Sequence, residues 1–405
     1  MAAPDSYLPP SLPEEKILQL IRTLDLPTPK KIEPLQVTAA FHSIYLIHFT
    51  SHDASSIPAR AEPDGTVILV LRVSGRQIPE IKTKNEVGVM TWIHENTKIP
   101  VPRVIRYSAS EDNPIGYEFT LLEKAHGVSV DKVYPSLTME TKLKLIHQLT
   151  DYLVELHSHS WSSPYVGGLA LQNGKVIAGP PIEENFWQTP DLAKYWSGTQ
   201  ETLESLNPTN GEGYQGFVAY NIACLQRYIH AIQVHPALIS FRDMIPRINA
   251  FVSALDSPEY AEELNRVTYV LAHKDMHFAN IVCDLDDREW PITAVLDWEF
   301  SGVVAAPRWN PPRAFLWNGR HEPEDKEERN NLEERFENIC LEQGGGRMLE
   351  QMKLNPLQDS MQTAVNYIRA IVEVCPRGQA ADKVTGWRQV AEDAMSAFVS
   401  DGDLV

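Results

Sequence analysis

The sequence predicts an α+β protein with a small N-terminal lobe built on an antiparallel sheet and a larger, mainly helical C-terminal lobe. Two runs rich in β-branched and aromatic residues, 41–50 and 66–73, lie near the start of the chain. A long amphipathic pattern at 139–158 predicts the first large helix of the second lobe. We therefore expect an N-lobe at 1–122 and a C-lobe at 123–405.

The N-terminal elements follow from local patterns along the chain. A helix is expected from Glu14, where apolar residues recur at helical spacing. The two β-branched runs are separated by a polar loop and predict neighbouring strands that start the sheet. Residues 79–95 have the apolar spacing of a second helix, and 104–107 and 117–122 predict two further strands. The chain then leaves the sheet through Gly127.

Composition excludes several classes of function. The 405 residues carry a formal charge of −18, which disfavours nucleic acids and anionic membranes as partners and suits either a cationic partner or plain solubility. The four cysteines form no C-x-x-C pair, so neither a disulfide scaffold nor a zinc cluster is expected. The first fifteen residues show no signal-peptide pattern, and no apolar run reaches the roughly 18 residues that span a bilayer. We expect a cytoplasmic protein.

Polar residues end two short apolar runs of the C-terminal lobe. The run at 269–272 leads to His273 and Asp275, Asn280 follows, and the run at 292–296 leads to Asp297. Carboxylate and amide oxygens suit Mg²⁺, which needs few protein ligands beside phosphates, and a remaining aspartate can orient a hydroxyl.

A zinc pair formed by His273 and His277 is the alternative for this segment. The glutamate of a helical H-E-x-x-H site is absent from it, and a strand, not a helix, is expected before His273. We therefore prefer the oxygen-ligand interpretation.

At these residues the sequence resembles the aminoglycoside phosphotransferase and choline kinase-like family, which has a protein-kinase-like fold. That family carries H-x-D-x-x-x-x-N and, about twenty residues later, D-x-[DE]. The matching residues here are His273, Asp275, Asn280 and the segment 297–299. The resemblance implies that Asp275 is the catalytic base or the residue that orients the hydroxyl, that His273 supports the loop, and that Asn280 and Asp297 bind Mg²⁺. It also implies ATP or GTP as the phosphoryl donor.

The resemblance assigns a nucleotide site to the N-lobe. Arg72 stands where kinases place a lysine, and Glu86 in the following helix is its expected partner. Arginine departs from the pattern, but its planar fork can hold a carboxylate and a phosphate together. The segment 37–43 lacks the glycines that usually cover the phosphates, so the hydroxyls of Thr38 and Ser43 are the expected donors there.

Two lysines and a hinge complete the expected nucleotide site. Lys82 and Lys84 precede Glu86 and are alternatives to Arg72, although we expect both in solvent. The resemblance implies a hinge at 122–125 whose backbone, including that of Glu123 and Ala125, binds the edge of the nucleotide base. It also implies that the side chains of Val70, Leu122 and Val282 lie on the two faces of the base.

Aromatic and acidic residues between 180 and 235 suggest the acceptor side. Aromatic walls with acids such as Glu183, Glu184 and Asp191 suit a small amphipathic or cationic molecule, although such a stripe is more often helical core. The proline-rich segment 307–317 is too short for a regulated activation loop, which favours a small-molecule acceptor. We expect ATP–Mg²⁺-dependent phosphoryl transfer to a hydroxyl. A phosphorylation–elimination enzyme and a non-catalytic nucleotide-binding scaffold are the alternatives.

Overall fold

The computed structural model describes residues 7–35, 41–309 and 322–400. Its largest sheet is antiparallel, with the strand order β1-β2-β3-β5-β4. Those strands and the two helices of this part are α1 (Glu14–Thr23), β1 (Lys31–Leu35), β2 (His42–Phe49), β3 (Val67–Ser74), α2 (Ile81–Asn96), β4 (Val104–Ser108) and β5 (Phe119–Glu123). The sequence predicts all of these within two residues except β1, a short and mostly exposed strand that contains Pro34.

Strand β3 shows how the sheet divides its two faces. Val67, Leu69, Leu71 and Val73 are fully buried in a core that also contains the apolar face of α1. Because successive side chains of a strand point to opposite faces, Arg72 lies on the other face, towards the C-terminal lobe. The alternation along β3 therefore directs the guanidinium into the cleft between the lobes.

The hinge after β5 is held tightly against the C-terminal lobe at Gly127. Its φ is +106°, and a Cβ atom there would lie 2.1 Å from the carbonyl oxygen of Cys283. Only glycine combines this backbone conformation with so close an approach. The next residues form β6 (Val128–Ser129), which pairs with β10 (Ile281–Cys283), and β10 pairs with β11 (Ile292–Val295). The predicted lobe boundary at residue 122 stays a prediction.

The rest of the C-terminal part is mainly helical, as the sequence predicts. It also contains the predicted strand β9, which pairs with β12, and a hairpin of β7 and β8. The sequence did not reveal the hairpin or β12. The strands are β7 (Gly168–Gln172), β8 (Lys175–Gly179), β9 (Tyr269–Ala272) and β12 (Gly302–Ala305). The α-helices are α3 (Val130–Val133), α4 (Met139–Ser158), α5 (Thr189–Tyr195), α6 (Leu203–Leu206), α7 (Phe217–Val234), α8 (Ile245–Leu255), α9 (Pro258–Leu264), α10 (Pro323–Glu342), α11 (Gly346–Gln351), α12 (Pro356–Val374) and α13 (Val384–Met395).

Short 3-10 helices complete the architecture, at Ala54–Ser56, Tyr134–Ser136, Pro236–Met244, Phe278–Asn280 and Ala306–Arg308. The large core of the C-terminal part extends to α2, whose Val89 and Ile93 are fully buried in it. Asn85 of α2 also donates to the carbonyl oxygens of Glu299 and Ser301, at 2.9 and 2.8 Å. Helix α2 thus fixes the sheet relative to the segment 299–301. Within the part of the chain that the structure describes, no helix has the length and apolarity needed to cross a bilayer.

Candidate active site

His273 joins the two strand ends that carry the predicted motif. The four residues of β9 are buried and place His273 in the interior, fully buried. Its Nε2 lies 2.7 Å from the carbonyl oxygen of Leu296, and its Nδ1 lies 3.3 Å from the amide nitrogen of Asp275. Burial lowers the pKa of His273, more than the hydrogen bond to Leu296 raises it. A neutral ring therefore donates at Nε2 and accepts at Nδ1, which is the geometry of a loop support.

Asp275 and Asn280 face each other across the turn that follows. The amide nitrogen of the Asn280 side chain donates to the carbonyl oxygen of Asp275 at 3.0 Å. The backbone of Asn280 is tied to the second strand end, because its carbonyl oxygen accepts from the Leu296 amide at 2.8 Å. The Asp275 side chain is 45% exposed, and His277 Nε2 lies 3.4 Å from its Oδ2. Its carboxylate is therefore accessible from the cleft.

Asp297 follows β11 in a left-handed backbone conformation, with a φ of +66°. Aspartate tolerates that conformation better than most residues, and such backbone outliers concentrate at functional sites. Its Oδ1 accepts from Arg72 Nη2 at 2.7 Å. Burial acts to raise the pKa of Asp297, but the charge and hydrogen bond of Arg72 outweigh it and lower the pKa. Asp297 is thus a carboxylate at neutral pH.

Arg72 connects the two lobes through its guanidinium fork. One nitrogen contacts Glu86 of α2 and another contacts Asp297, so the predicted Arg72–Glu86 pair is present. Glu86 is almost fully buried and also accepts from the hydroxyl of Thr120 at 3.2 Å. A lysine ammonium is a point charge without this rigid fork. The arginine therefore suits this double contact.

Lys82 is not in solvent, contrary to the sequence-based expectation. It is 1% exposed, and its Nζ lies 3.0 Å from Oε2 of Glu299, which is equally buried. Lys84 is exposed and pairs with Glu80 on the surface of the same helix. The signal that distinguishes them is spacing: Lys82 lies four residues before Glu86 and so shares its helix face. Sequence reasoning missed this buried ion pair.

The acid of this pair, Glu299, has a strongly raised pKa. Burial raises its pKa to about 7, and the nearby Asp297 adds to the shift, while Lys82 and Arg72 oppose it. His42 Nε2 lies 3.5 Å from the same carboxylate. Burial and the charges of Lys82 and Arg72 hold the pKa of His42 well below its usual range. His42 is therefore a neutral neighbour of two cations.

The structure does not bring Ser43 to this site. His42 contacts Arg72 at 3.3 Å, so the neighbouring Ser43 side chain points to the opposite face of β2. The Ser43 hydroxyl donates to the carbonyl oxygen of Pro9 at 3.1 Å. Residues 37–40 of the predicted phosphate-covering segment, which include Thr38, lie outside the described residues.

The residues predicted to bind the nucleotide base lie on β3, on β5 and just after it, and on β10. Val70 and Leu122 are directly opposite each other on β3 and β5, and Val282 is buried on β10. The amide of Glu123 donates to the carbonyl oxygen of Arg103 at 2.9 Å. Its carboxylate accepts from the backbone of Arg60 at 2.7 Å. Glu123 is thus already bonded within the protein, while Ala125 is half-buried beside it.

The oxygen atoms of Asn280 and Asp297 suit a hard cation. Asn280 uses its amide nitrogen for Asp275, which leaves the amide oxygen as its group for a ligand, and Asp297 supplies carboxylate oxygen. Mg²⁺ is bound through such oxygens together with phosphates and water. Among the described residues, no group of three His, Cys, Asp or Glu side chains is arranged to hold a metal ion.

The predicted acceptor acids have different surroundings. Glu183 accepts from the hydroxyl of Tyr220 at 2.9 Å, and Asp191 lies 3.4 Å from Arg377 Nη2. Desolvation and the charges of Asp275 and Asp297 raise the pKa of Glu184. The carboxylates of Glu183 and Asp191, by contrast, each lie beside an arginine.

The amino-acid sequence of this chain is similar to a family profile and to individual known proteins. Residues 60–304 match the sequence profile described as the phosphotransferase enzyme family. A subtelomeric hrmA-associated cluster protein of Aspergillus fumigatus is 33% identical over 124 residues, which is 30% of this chain and 24% of that protein. The clavilactone A biosynthesis cluster protein Y of Ampulloclitocybe clavipes is 25% identical over 260 residues, 60% of this chain and 57% of that protein. The matches thus span about a quarter and just over half of these relatives.

Solved structures of low sequence identity are also similar. A GDP complex of aminoglycoside 2′-phosphotransferase-IIIa has 14% identity and a TM-score of 0.45, with 95% of this chain and 97% of that chain covered. A ternary complex of APH(2″)-IIa with streptomycin and ATP has 13% identity and a TM-score of 0.46, with 96% and 99% covered.

Proposed function

This chain belongs to the phosphotransferase enzyme family, and we propose that it transfers a phosphoryl group from ATP or GTP, with Mg²⁺, to a hydroxyl of a small molecule. The observation that carries the proposal is the convergence of three oxygen-bearing side chains from two strand ends. Asp275, Asn280 and Asp297 are held together by His273 and by the Leu296–Asn280 backbone bond. Arg72 reaches this group from the opposite lobe.

Each residue has a physical role in this proposal. Asp275, with its partly exposed carboxylate, orients the acceptor hydroxyl and takes its proton. Asn280 and Asp297 would hold Mg²⁺, which when bound neutralises charge on the phosphates. Arg72 contributes positive charge towards the phosphates while Glu86 keeps it in place. Such positioning and electrostatic stabilisation account for nearly all catalysis of phosphoryl transfer.

The nucleotide would lie between the hinge and the sheet. Val70, Leu122 and Val282 offer apolar surface for a base, and Gly127 brings the hinge within contact of β10. The likeness to a biosynthesis cluster protein supports a small-molecule acceptor. A cytoplasmic location, with neither nucleic acid nor membrane as partner, stays a prediction from composition.

The experiment that tests this proposal is the substitution Asp275→Asn. It keeps the shape of the side chain and removes its negative charge and basicity. General-base help is typically worth about 10²–10⁴ in rate, so turnover of ATP with an accepted substrate should fall by that order. Affinity for Mg²⁺–ATP, measured by calorimetry, should stay within a few-fold of wild type because Asn280 and Asp297 are unchanged.

Asp286→Asn is the matched control, since it removes one carboxylate from an exposed turn between β10 and β11. It should leave both turnover and affinity unchanged. Equal turnover by wild type and Asp275→Asn would refute the catalytic role. Binding of Mg²⁺–ATP without turnover by either protein, over a broad pool of metabolites, would favour the scaffold alternative.

A further inference from the structure

His277 lies in the turn 275–280, and the proposed function assigns it no role. It begins the 3-10 helix Phe278–Asn280. Its amide donates to the carbonyl oxygen of Asp275 at 3.0 Å, and its carbonyl oxygen accepts from the Asn280 amide at 2.9 Å. The side chain is 21% exposed. The backbone of His277 is thus fixed on both sides, and its ring is held beside Asp275.

The contacts of the two ring nitrogens define the tautomer of His277. Nδ1 accepts from the backbone amide of Ala279 at 3.2 Å, so Nδ1 carries no proton in this arrangement. A neutral imidazole has one N–H group, which must then be at Nε2. Nε2 lies 3.4 Å from Oδ2 of Asp275. The ring therefore presents an N–H donor, and not a lone pair, to the carboxylate.

The two oxygens of the Asp275 carboxylate have different surroundings. Oδ2 lies 3.4 Å from Nε2 of His277 and 3.5 Å from Nδ2 of Asn280. Among the described residues, none donates a hydrogen bond to Oδ1. The last torsion of an aspartate side chain is broad, so a carboxylate without partners takes many orientations. Two donors on one oxygen restrict that rotation and leave the other oxygen open to a ligand.

We propose that His277 is a positioning residue, which donates from Nε2 to Oδ2 of Asp275 and so directs Oδ1 at the acceptor hydroxyl. The separation of 3.4 Å is long for a hydrogen bond, as is common at catalytic sites before the substrate binds. The inference rests on the proposed function, because it names the oxygen that receives the hydroxyl which Asp275 would orient.

Two substitutions separate this role from the contact with Ala279. His277→Asn keeps an acceptor for the Ala279 amide, since asparagine is a favoured residue at the start of a helix, and it removes the donor to Asp275. His277→Gln places an amide donor near the position of Nε2 but loses that acceptor. His277→Asn should lower kcat by roughly ten- to a hundredfold, the value of a hydrogen bond to a charged group, with both KM values within a few-fold of wild type.

The two variants should therefore rank in opposite orders for activity and for stability. His277→Gln should have the higher kcat and the lower melting temperature, and His277→Asn the reverse. A purely structural role predicts the same order in both measurements, and that result would overturn the inference. His230→Asn is the matched control, because His230 Nε2 lies 2.7 Å from Glu201 Oε2 outside the site. It should leave kcat unchanged.

The effect of His277→Asn should also depend on Asp275. In an Asp275→Asn background no carboxylate remains to be oriented, so His277→Asn should cause little further loss of the residual rate. An equal loss in both backgrounds would show that His277 acts through another group. A kcat of His277→Asn equal to or above that of wild type would likewise refute the positioning role.

A measurement without nucleotide or acceptor separates this inference from the proposed function. Long-range proton–nitrogen correlation spectra at pH 9, where histidine rings are neutral, report the tautomer of each ring. The signals of His277 are those lost in His277→Asn. They should show a protonated Nε2, whose resonance shifts in Asp275→Asn while that of His230 does not.

The two proposals then fail in different ways. If the spectra agree with this expectation but no acceptor is phosphorylated, the proposed function fails and the contact between His277 and Asp275 stands. If an acceptor is phosphorylated but His277 is protonated at Nδ1, or its Nε2 resonance is the same in Asp275→Asn, the proposed function stands and the positioning role is wrong.

Discussion

The substitution Lys82→Met removes the cation from a fully buried ion pair, and its effect on stability should depend strongly on pH. Methionine retains most of the lysine stem, so the packing of α2 changes little. The carboxylate left behind is Glu299, whose folded-state pKa is already raised from 4.5 to about 7. Without Lys82 the pKa of Glu299 rises further, and the variant keeps Glu299 protonated where wild type ionises it.

The direction of the pH effect follows from linkage. A folded-state pKa above the unfolded value means that Glu299 stabilises the fold fully below pH 4.5 and loses that contribution as pH rises through about 7. In wild type the loss stops near pH 7, because Glu299 then ionises against Lys82. In Lys82→Met it continues, at about 1.4 kcal/mol per pH unit. The difference in unfolding free energy should therefore grow as pH rises above 7, for as long as Glu299 of the variant stays protonated.

Urea denaturation at pH 6, 7, 8 and 9 measures this difference. Lys84→Met is the matched control, because Lys84 is an exposed lysine of the same helix with a surface partner, Glu80. Surface pairs contribute about 0–1 kcal/mol, so the control should show a small difference that does not change with pH. In a Glu299→Gln background, Lys82→Met should lose its pH dependence. A difference between Lys82→Met and wild type that is the same at pH 6 and pH 9 would refute the reasoning.

Three further predictions concern the cleft and the hinge. Arg72→Ala is made in a Glu86→Gln background so that the buried Glu86 carboxylate is not left unpaired. It should weaken ATP binding by about ten- to a hundredfold and adenosine binding far less. Equal losses of affinity for both ligands in calorimetry would contradict the phosphate role. Asp297→Asn suits the left-handed backbone and should abolish the gain in ATP affinity on adding Mg²⁺, whereas an unchanged Mg²⁺ effect would remove Asp297 from the metal site. Gly127→Ala should lower the unfolding free energy in urea by more than Gly116→Ala, because both have positive φ but only the first Cβ would meet protein atoms; equal losses would show that backbone strain of about 1–2 kcal/mol is the whole effect.

The motif around Asp275 could be predicted from the sequence for a local reason. Both strands are short apolar runs that end in polar residues, and the spacing between Asp275 and Asn280 is set by a single turn. The Arg72–Glu86 pair was also predictable, because the positions on β3 and α2 follow the order of elements in the resembling family. Features that lie within one strand, one turn or one helix face can be predicted from the local pattern of residues.

Contacts between distant segments were not predictable in this way. The burial of Lys82 depends on Glu299, more than two hundred residues later, and only the packing of α2 against the segment 299–301 brings the two side chains together. Ser43 was assigned to the phosphate side, yet the pleat of β2 turns it to Pro9. Glu183 was expected to face a cationic acceptor, yet the fold places it beside Arg308 and Lys274. The sequence by itself determined most of the N-terminal elements and the motif from His273 to Asn280, since these rest on spacing within short segments. The tertiary structure alone decided which charges are paired, buried or left over, because the free energy of a charge depends on neighbours that the fold supplies.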